Sequence, residues 1–335
     1  MKTDSINVGE IRPSQLMFTY GIGAIVDLPR LSVIVTGLED WPTNPEYARR
    51  ITEERLLTAV RYKYHDVQEL IAPPIVPEAG LTFNPFSKPA QLGAPVAVFP
   101  RWLVCPACQI LAPIKDGLFK LKPNFYAPDR TAYIHESCNK AKAPEAIPAR
   151  FLVACEKGHL DDFPWIEFVH VRNGSCLRPQ LRLIEYGPSG EARELEVKCD
   201  NCGERRRLAE AFGEDNRSTL PRCRGRRPHL RDYERDGCKN QVRTIILGAS
   251  NTWFPVVLST IAIPTKSNRL AQLVEDKWAT LQNVTSLEVL LAFRNAGLLG
   301  IEISQHPDKD IWAEIQAHDK GASSFPETSP DLRAP

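Results

Sequence analysis

Nine cysteines lie between Cys105 and Cys238, and two pairs, Cys105/Cys108 and Cys199/Cys202, have C-x-x-C spacing. Such a turn presents two thiolates to one ion, and zinc takes four tetrahedral sulfur or nitrogen donors. The clearest set is Cys199-Asp-Asn-Cys202-Gly followed by Cys223 and Cys238, with the later pair expected to close the site. The glycine after Cys202 lets the turn aim backbone N–H groups at sulfur. A second set is Cys105-Pro-Ala-Cys108 with His135-Glu-Ser-Cys138; its fourth ligand is His135 or, alternatively, Cys155. Cys155, His159, His170 and Cys176 remain. Nine cysteines with His135, His159 and His170 make twelve ligands, or three groups of four in chain order. Two or three structural Zn2+ ions are therefore expected. Without a third ion, His159 and His170 would anchor buried turns and leave two thiols in the core.

A catalytic zinc keeps an open coordination position beside an acid/base group. His159, Asp161 and Asp162 can be drawn as a zinc-dependent hydrolase, but four ligands fill the sphere and Pro164-Trp165 reads as packing. The chain has no G-x-x-x-x-G-K-[ST], G-x-S-x-G or H-E-x-x-H motif, and Gly21-Ile-Gly-Ala24 lacks the βαβ context of a nucleotide loop. No catalytic residue and no small-molecule substrate are expected.

The net charge is +1, so any electrostatic signal must be local. Residues 205–243 carry twelve Lys/Arg against six Asp/Glu. Arg205, Arg206, Arg207, Arg222, Arg224, Arg226 and Arg227 form a cluster able to contact phosphates without sequence readout. A solvated face, or one that pairs with an acidic partner, is the plainer alternative.

These residues need a framework. Proline outnumbers glycine, 28 to 19, which favours irregular, loop-rich architecture. The expected fold class is α+β, irregular, with zinc-ribbon-like or zinc-knuckle modules and a helical C-terminal segment. Residues 1–100 read as an N-terminal α+β region. It holds a strand at Leu31–Thr36, a helix capped by Asn44 that carries Ile51, Leu56, Leu57 and Val60, and an extended linker over Ala72–Pro100. Residues 101–245 form the cysteine-rich region, with strands at Arg150–Ala154 and Glu194–Lys198. Residues 246–317 read as helical. Leu270, Leu273, Val274, Trp278 and Leu281 share one face behind Ser267 or Asn268, and a second helix starts at Thr285 in a capping box with Glu288 and stops at Gly297. The polar stretch 318–335 reads as a disordered tail. No apolar run spans a bilayer and Met1–Glu10 has no secretory h-region, so a cytoplasmic protein without membrane contact is expected.

Longer strings carry a family resemblance. Arg12-Pro-Ser-Gln15, Thr19–Pro29, Leu38-Glu-Asp-Trp41, Phe99-Pro-Arg-Trp102, Arg150–Trp165, Gly248-Ala-Ser-Asn251 and Trp253-Phe-Pro255 resemble DrmB. DrmB is the helicase-associated component of the DISARM anti-phage system. The resemblance implies a non-catalytic subunit that binds a DrmA-like superfamily 2 helicase and helps the pair engage phage DNA. Typical members are longer, so a truncated, split or excised family member is expected. A free-standing zinc-ribbon nucleic-acid-binding protein is the other reading.

Overall fold

The structure is a computed structural model that describes residues 6–42, 50–74, 84–87, 92–171, 176–187, 191–213, 217–249, 252–261 and 266–319. It divides into two compact units, one of Met1–Ala48 with Pro73–Val257 and one of Arg49–Ala72 with Leu258–Pro335. The regions read from the sequence have their bounds at 100/101, 245/246 and 317/318.

The first unit is built on antiparallel strands with short irregular connections. Eight form one sheet in the spatial order Arg205–Arg207, Leu195–Cys199, Leu181–Glu185, Ile110–Pro113, Trp102–Val104, Glu145–Pro148, Ala132–Ile134 and Lys120–Lys122. Two short-connection hairpins, Trp102–Val104/Ile110–Pro113 and Leu195–Cys199/Arg205–Arg207, hold the C-x-x-C pairs at their tips. A smaller sheet places Phe151–Ala154 between Leu160–Asp162 and Arg243–Ile246. That last pairing joins residues about ninety positions apart in the chain. A third sheet pairs Ser32–Val35 with Ile25–Asp27 and with Val96–Val98.

Ser32–Val35 is buried along its whole length because it is the middle strand of its sheet. Val96–Val98 corrects the reading of Ala72–Pro100 as linker throughout: its end is a sheet strand, placed beside Ser32–Val35. The main core gathers Val104, Leu111, Phe151, Phe163, Trp165, Phe168, Val197 and Leu208. Phe163 stacks at 4.6 Å on Trp165 and edge-on at 5.1 Å on Phe168, so the Asp-Phe-Pro-Trp string is core packing.

In the second unit the helix Glu54–Lys63 is capped by the Glu53 carboxylate, which accepts from Arg55 N–H. The expected Asn44 cap lies outside the described residues, and Ile51 falls in a two-residue strand before the helix. Towards the C-terminus, Lys266–Asp276 and Trp278–Leu281 are separate helices, so the single stripe from Leu270 to Leu281 is broken at Lys277. The next helix, Leu287–Asn295, starts one residue later than expected: Ser286, not Thr285, accepts from Val289 N–H. Gly300–Ser304 and Asp308–Asp319 follow. Leu270, Val274, Leu281, Leu290, Leu299, Ile303 and Ile311 bury one shared core.

Leu290 is completely buried in that core. Leu290→Ala should destabilise the helical unit by about 2–5 kcal/mol in denaturant titration. A loss below about 1 kcal/mol would mean that these helices do not share a packed interior.

Candidate metal centres

The first group is assembled by two neighbouring hairpins of the large sheet. Cys105 follows Trp102–Val104 and Cys108 precedes Ile110–Pro113, with the turn closed by Cys105 N–H on Ile110 O and Gln109 N–H on Cys105 O. His135 and Cys138 follow Ala132–Ile134 in the facing turn, where His135 N–H donates to Pro144 O. Cys105 Sγ lies 3.8 Å from Cys138 Sγ, and Cys108 Sγ lies 3.5 Å from His135 Nδ1. Two knuckles on adjacent hairpins are the ribbon-like arrangement read from the sequence. Of the two alternatives for its fourth donor, the structure brings in His135 and leaves Cys155 elsewhere.

The second group corrects the sequence pairing. Cys223 and Cys238 meet Cys155 and His159, not Cys199 and Cys202. Cys155 and His159 bracket the turn between Phe151–Ala154 and Leu160–Asp162, closed by Cys155 N–H on His159 O at 3.1 Å. Gly158 in that turn has φ +84°, a region in which a side chain would be strained. The pairing of Phe151–Ala154 with Arg243–Ile246 brings the Cys223–Cys238 segment back to this turn. Cys155 Sγ is 3.4 Å from His159 Nδ1 and 4.0 Å from Cys238 Sγ.

The third group is enclosed within the second along the chain. His170 ends the short helix Trp165–Val169, Cys176 precedes Leu181–Glu185, and Cys199 and Cys202 form the knuckle beyond Leu195–Cys199. Gly203, at φ +80°, turns the chain back into Arg205–Arg207. Cys202 Sγ lies 3.3 Å from His170 Nε2.

All twelve expected donors thus come together in three groups of four, each with its ligand atoms within 4.8 Å of one another. Metal–sulfur and metal–nitrogen bonds of zinc length in a tetrahedron place donors at edges of about 3.6–3.8 Å. The observed separations, 3.3–4.0 Å, fit that geometry. Each group offers three sulfurs and one imidazole nitrogen, a set suited to a soft or borderline cation.

The surroundings orient the donors. His170 Nδ1–H donates to Ile166 O at 2.7 Å, which fixes the tautomer and frees Nε2 to face Cys202. His159 Nε2 lies 3.4 Å from Glu234 Oε2, which Lys157 Nζ also approaches to 4.0 Å. Asn201 Nδ2–H donates to Cys176 Sγ at 3.1 Å and Gly225 N–H to Cys223 Sγ at 3.3 Å. Burial pushes the Cys108 thiol up to about 11 and the Cys223 thiol up to about 12. Without a cation these two sulfurs keep their protons, whereas the Cys138 and Cys238 thiols beside them are lowered. Glu234, Asn201 and the Ile166 carbonyl were missed by the sequence reading, which looked only for first ligands.

The two aspartates of the drawn hydrolase constellation are engaged by arginines. Asp161 and Asp162 accept from Arg226, with Asp162 Oδ2 at 2.8 Å, and Asp161 also accepts from Arg224 Nη2 at 2.7 Å. Arg101 N–H donates to Asp162 Oδ1 at 2.6 Å. The arginine cluster changes accordingly. Arg224 and Arg226 belong to this network, Arg227 grips Asp232 through two bonds, and buried Arg206 bonds Glu210 and the Phe168 carbonyl. Arg205 and Arg207 are exposed on the edge strand of the large sheet, and exposed Arg222 donates to Lys239 O.

Antiparallel ribbons closed at three Cys3His centres define a cysteine-rich, metal-binding class of protein. The chain belongs to the family described as Domain of unknown function (DUF8724), whose model matches residues 12–254 and so covers all three centres. It is also similar to the DISARM protein DrmB of Bacillus paralicheniformis, at 32% identity over 178 residues. The match covers 52% of this chain and 29% of that relative. The resemblance read from the sequence is thus found, over about half the chain. Among the described residues, no helix is long and apolar enough to cross a membrane.

The spatial pairing has a direct chemical test. In metal-loaded protein, Cys223→Ser should release one ion and expose Cys155 and Cys238 to alkylation while Cys199 and Cys202 stay protected; chain-order pairing instead requires Cys199, Cys202 and Cys238 exposed and Cys155 protected. Separately, Arg226→Gln leaves two buried carboxylates short of their shared cation. Denaturation should report a loss of about 3–5 kcal/mol.

Proposed function

We propose that this chain is a zinc-stapled, non-catalytic DrmB-like subunit of a bacterial anti-phage DISARM complex. In this reading it binds a DrmA-like helicase and helps it engage phage DNA. The observation that supports it is the set of three closed four-donor centres inside the segment that carries the family match. Zinc is the cation that three thiolates and an imidazole in a tetrahedron suit best. When bound, it supplies a cross-link and no open position for a reacting group. The nine free cysteines accord with a reducing, cytoplasmic setting.

All twelve donors, Cys105, Cys108, His135, Cys138, Cys155, His159, Cys223, Cys238, His170, Cys176, Cys199 and Cys202, serve as ligands in this reading. The chain's own residues order three turns, and those turns hold the sheet edges in a fixed shape for a partner to grip. A free-standing zinc-ribbon nucleic-acid binder is the second reading, favoured by exposed Arg205 and Arg207 on an edge strand.

Co-expression with the helicase encoded beside this chain should yield a complex that survives size-exclusion chromatography, with three zinc ions per copy of this chain by elemental analysis. A folded, zinc-loaded chain that never associates would refute the subunit reading. DNA binding by the chain alone that weakens with salt and on neutralising Arg205 and Arg207 would move the assignment to the second. Chelation should unfold the first unit, because binding energy at such sites is folding energy.

A further inference from the structure

A cavity of about 270 Å³ lies beside the buried aspartates, and Arg101, Lys115, Asp162, Trp165, Glu167 and Arg224 contribute to its wall. None of the twelve metal-ligand candidates lines it. Its charge is unbalanced. Its wall carries three cations, Arg101, Lys115 and Arg224, against two carboxylates, Asp162 and Glu167, and the adjoining Arg226–Asp161 pair is neutral. One positive charge is left over.

The arginines also keep donors in reserve. Arg101 uses its backbone N–H and Nε on Asp162, and Arg224 uses Nε and Nη2 on Asp161. Both side chains are about half exposed, at 54% and 56%. Among the described residues, both Nη groups of Arg101 and Nη1 of Arg224 are left for a ligand. Lys115 is exposed on the short helical turn Ile114–Asp116. Trp165 is 1% exposed, and its indole Nε1–H has no acceptor. A buried donor left in that state costs about 1–3 kcal/mol, which a ligand oxygen offsets.

We propose that this cavity is a phosphate-binding site in which Arg101, Lys115 and Arg224 hold the oxygens of a phosphate group. Guanidinium forks match a tetrahedral oxyanion, and forks already fixed by buried carboxylates lose little freedom on binding. The surplus positive charge disfavours a cation, and an apolar ligand would leave the charged wall without solvation. A free phosphate and a nucleic-acid phosphodiester present the same oxygens. The site does not depend on the helicase reading: failure of complex formation leaves it untouched, and failure of phosphate binding leaves complex formation untouched.

Calorimetric titration of the full, metal-loaded chain with inorganic phosphate, and in parallel with a short oligothymidylate, separates the two sources. Saturable binding of phosphate assigns a free anion; saturation by the oligonucleotide alone assigns a phosphodiester. Lys115→Gln should weaken binding on the order of tenfold, and Trp165→Phe, which keeps the ring packing, should weaken it by a similar factor. Lys115 is exposed and away from the core, so its variant keeps the test valid should the Trp165 variant misfold. The proposal is overturned if neither probe saturates, or if Lys115→Gln binds as tightly as the parent chain.

Discussion

Bringing four sulfur and nitrogen donors within 4.8 Å of one another at three separate points is the constraint on which the first unit depends. Cys155, Cys199, Cys223 and Cys238 belong to the same core as Phe151, Trp165 and Val197, so the centres are continuous with the hydrophobic interior. Cys105 and Cys108 sit likewise in a second cluster with Leu103, Phe119 and Tyr133. Strands of three to five residues bury little apolar area by themselves. A cation held at the hairpin tips would compensate for that shortage by cross-linking them.

The candidate donors were legible because thiols and imidazoles at knuckle spacing are the residue types that gather around a metal. Their partners were legible only where both halves of a centre lie close in the chain. Cys105, Cys108, His135 and Cys138 sit on adjacent hairpins, so sequence order and spatial order agree. For the other eight donors the orders differ. The strand pair Phe151–Ala154/Arg243–Ile246 folds the chain back on itself and encloses one centre within the other. Nothing local to Cys199 or Cys223 records that pairing, which is a long-range contact.

The same limit applies to charge. The arginine-rich stretch was visible as a run, but Asp161 and Asp162, which hold Arg224 and Arg226, lie some sixty positions earlier. Of the cluster, Arg206 and Arg226 are buried, whereas Arg205, Arg207, Arg222 and Arg224 are exposed. The C-terminal helices were readable from their apolar period. Errors there were of local register, as where Ser286 rather than Thr285 supplies the cap. The sheet strands before residue 100 were harder to read, because Val96–Val98 is short and its partner is distant in sequence.

The enclosure of one centre by the other also imposes an order on biosynthesis. Every donor of the His170–Cys202 centre leaves the ribosome before Cys223 and Cys238 do. During that interval Cys155 and His159 form half a site, and the nearest available thiols are those of the wrong centre. The hairpin Leu181–Glu185/Leu195–Cys199 is complete by then and can hold Cys199 beside its proper partners. Vectorial synthesis thus favours closing the inner knot first, whereas a refolding chain presents all its thiols at once and is open to exchange among them.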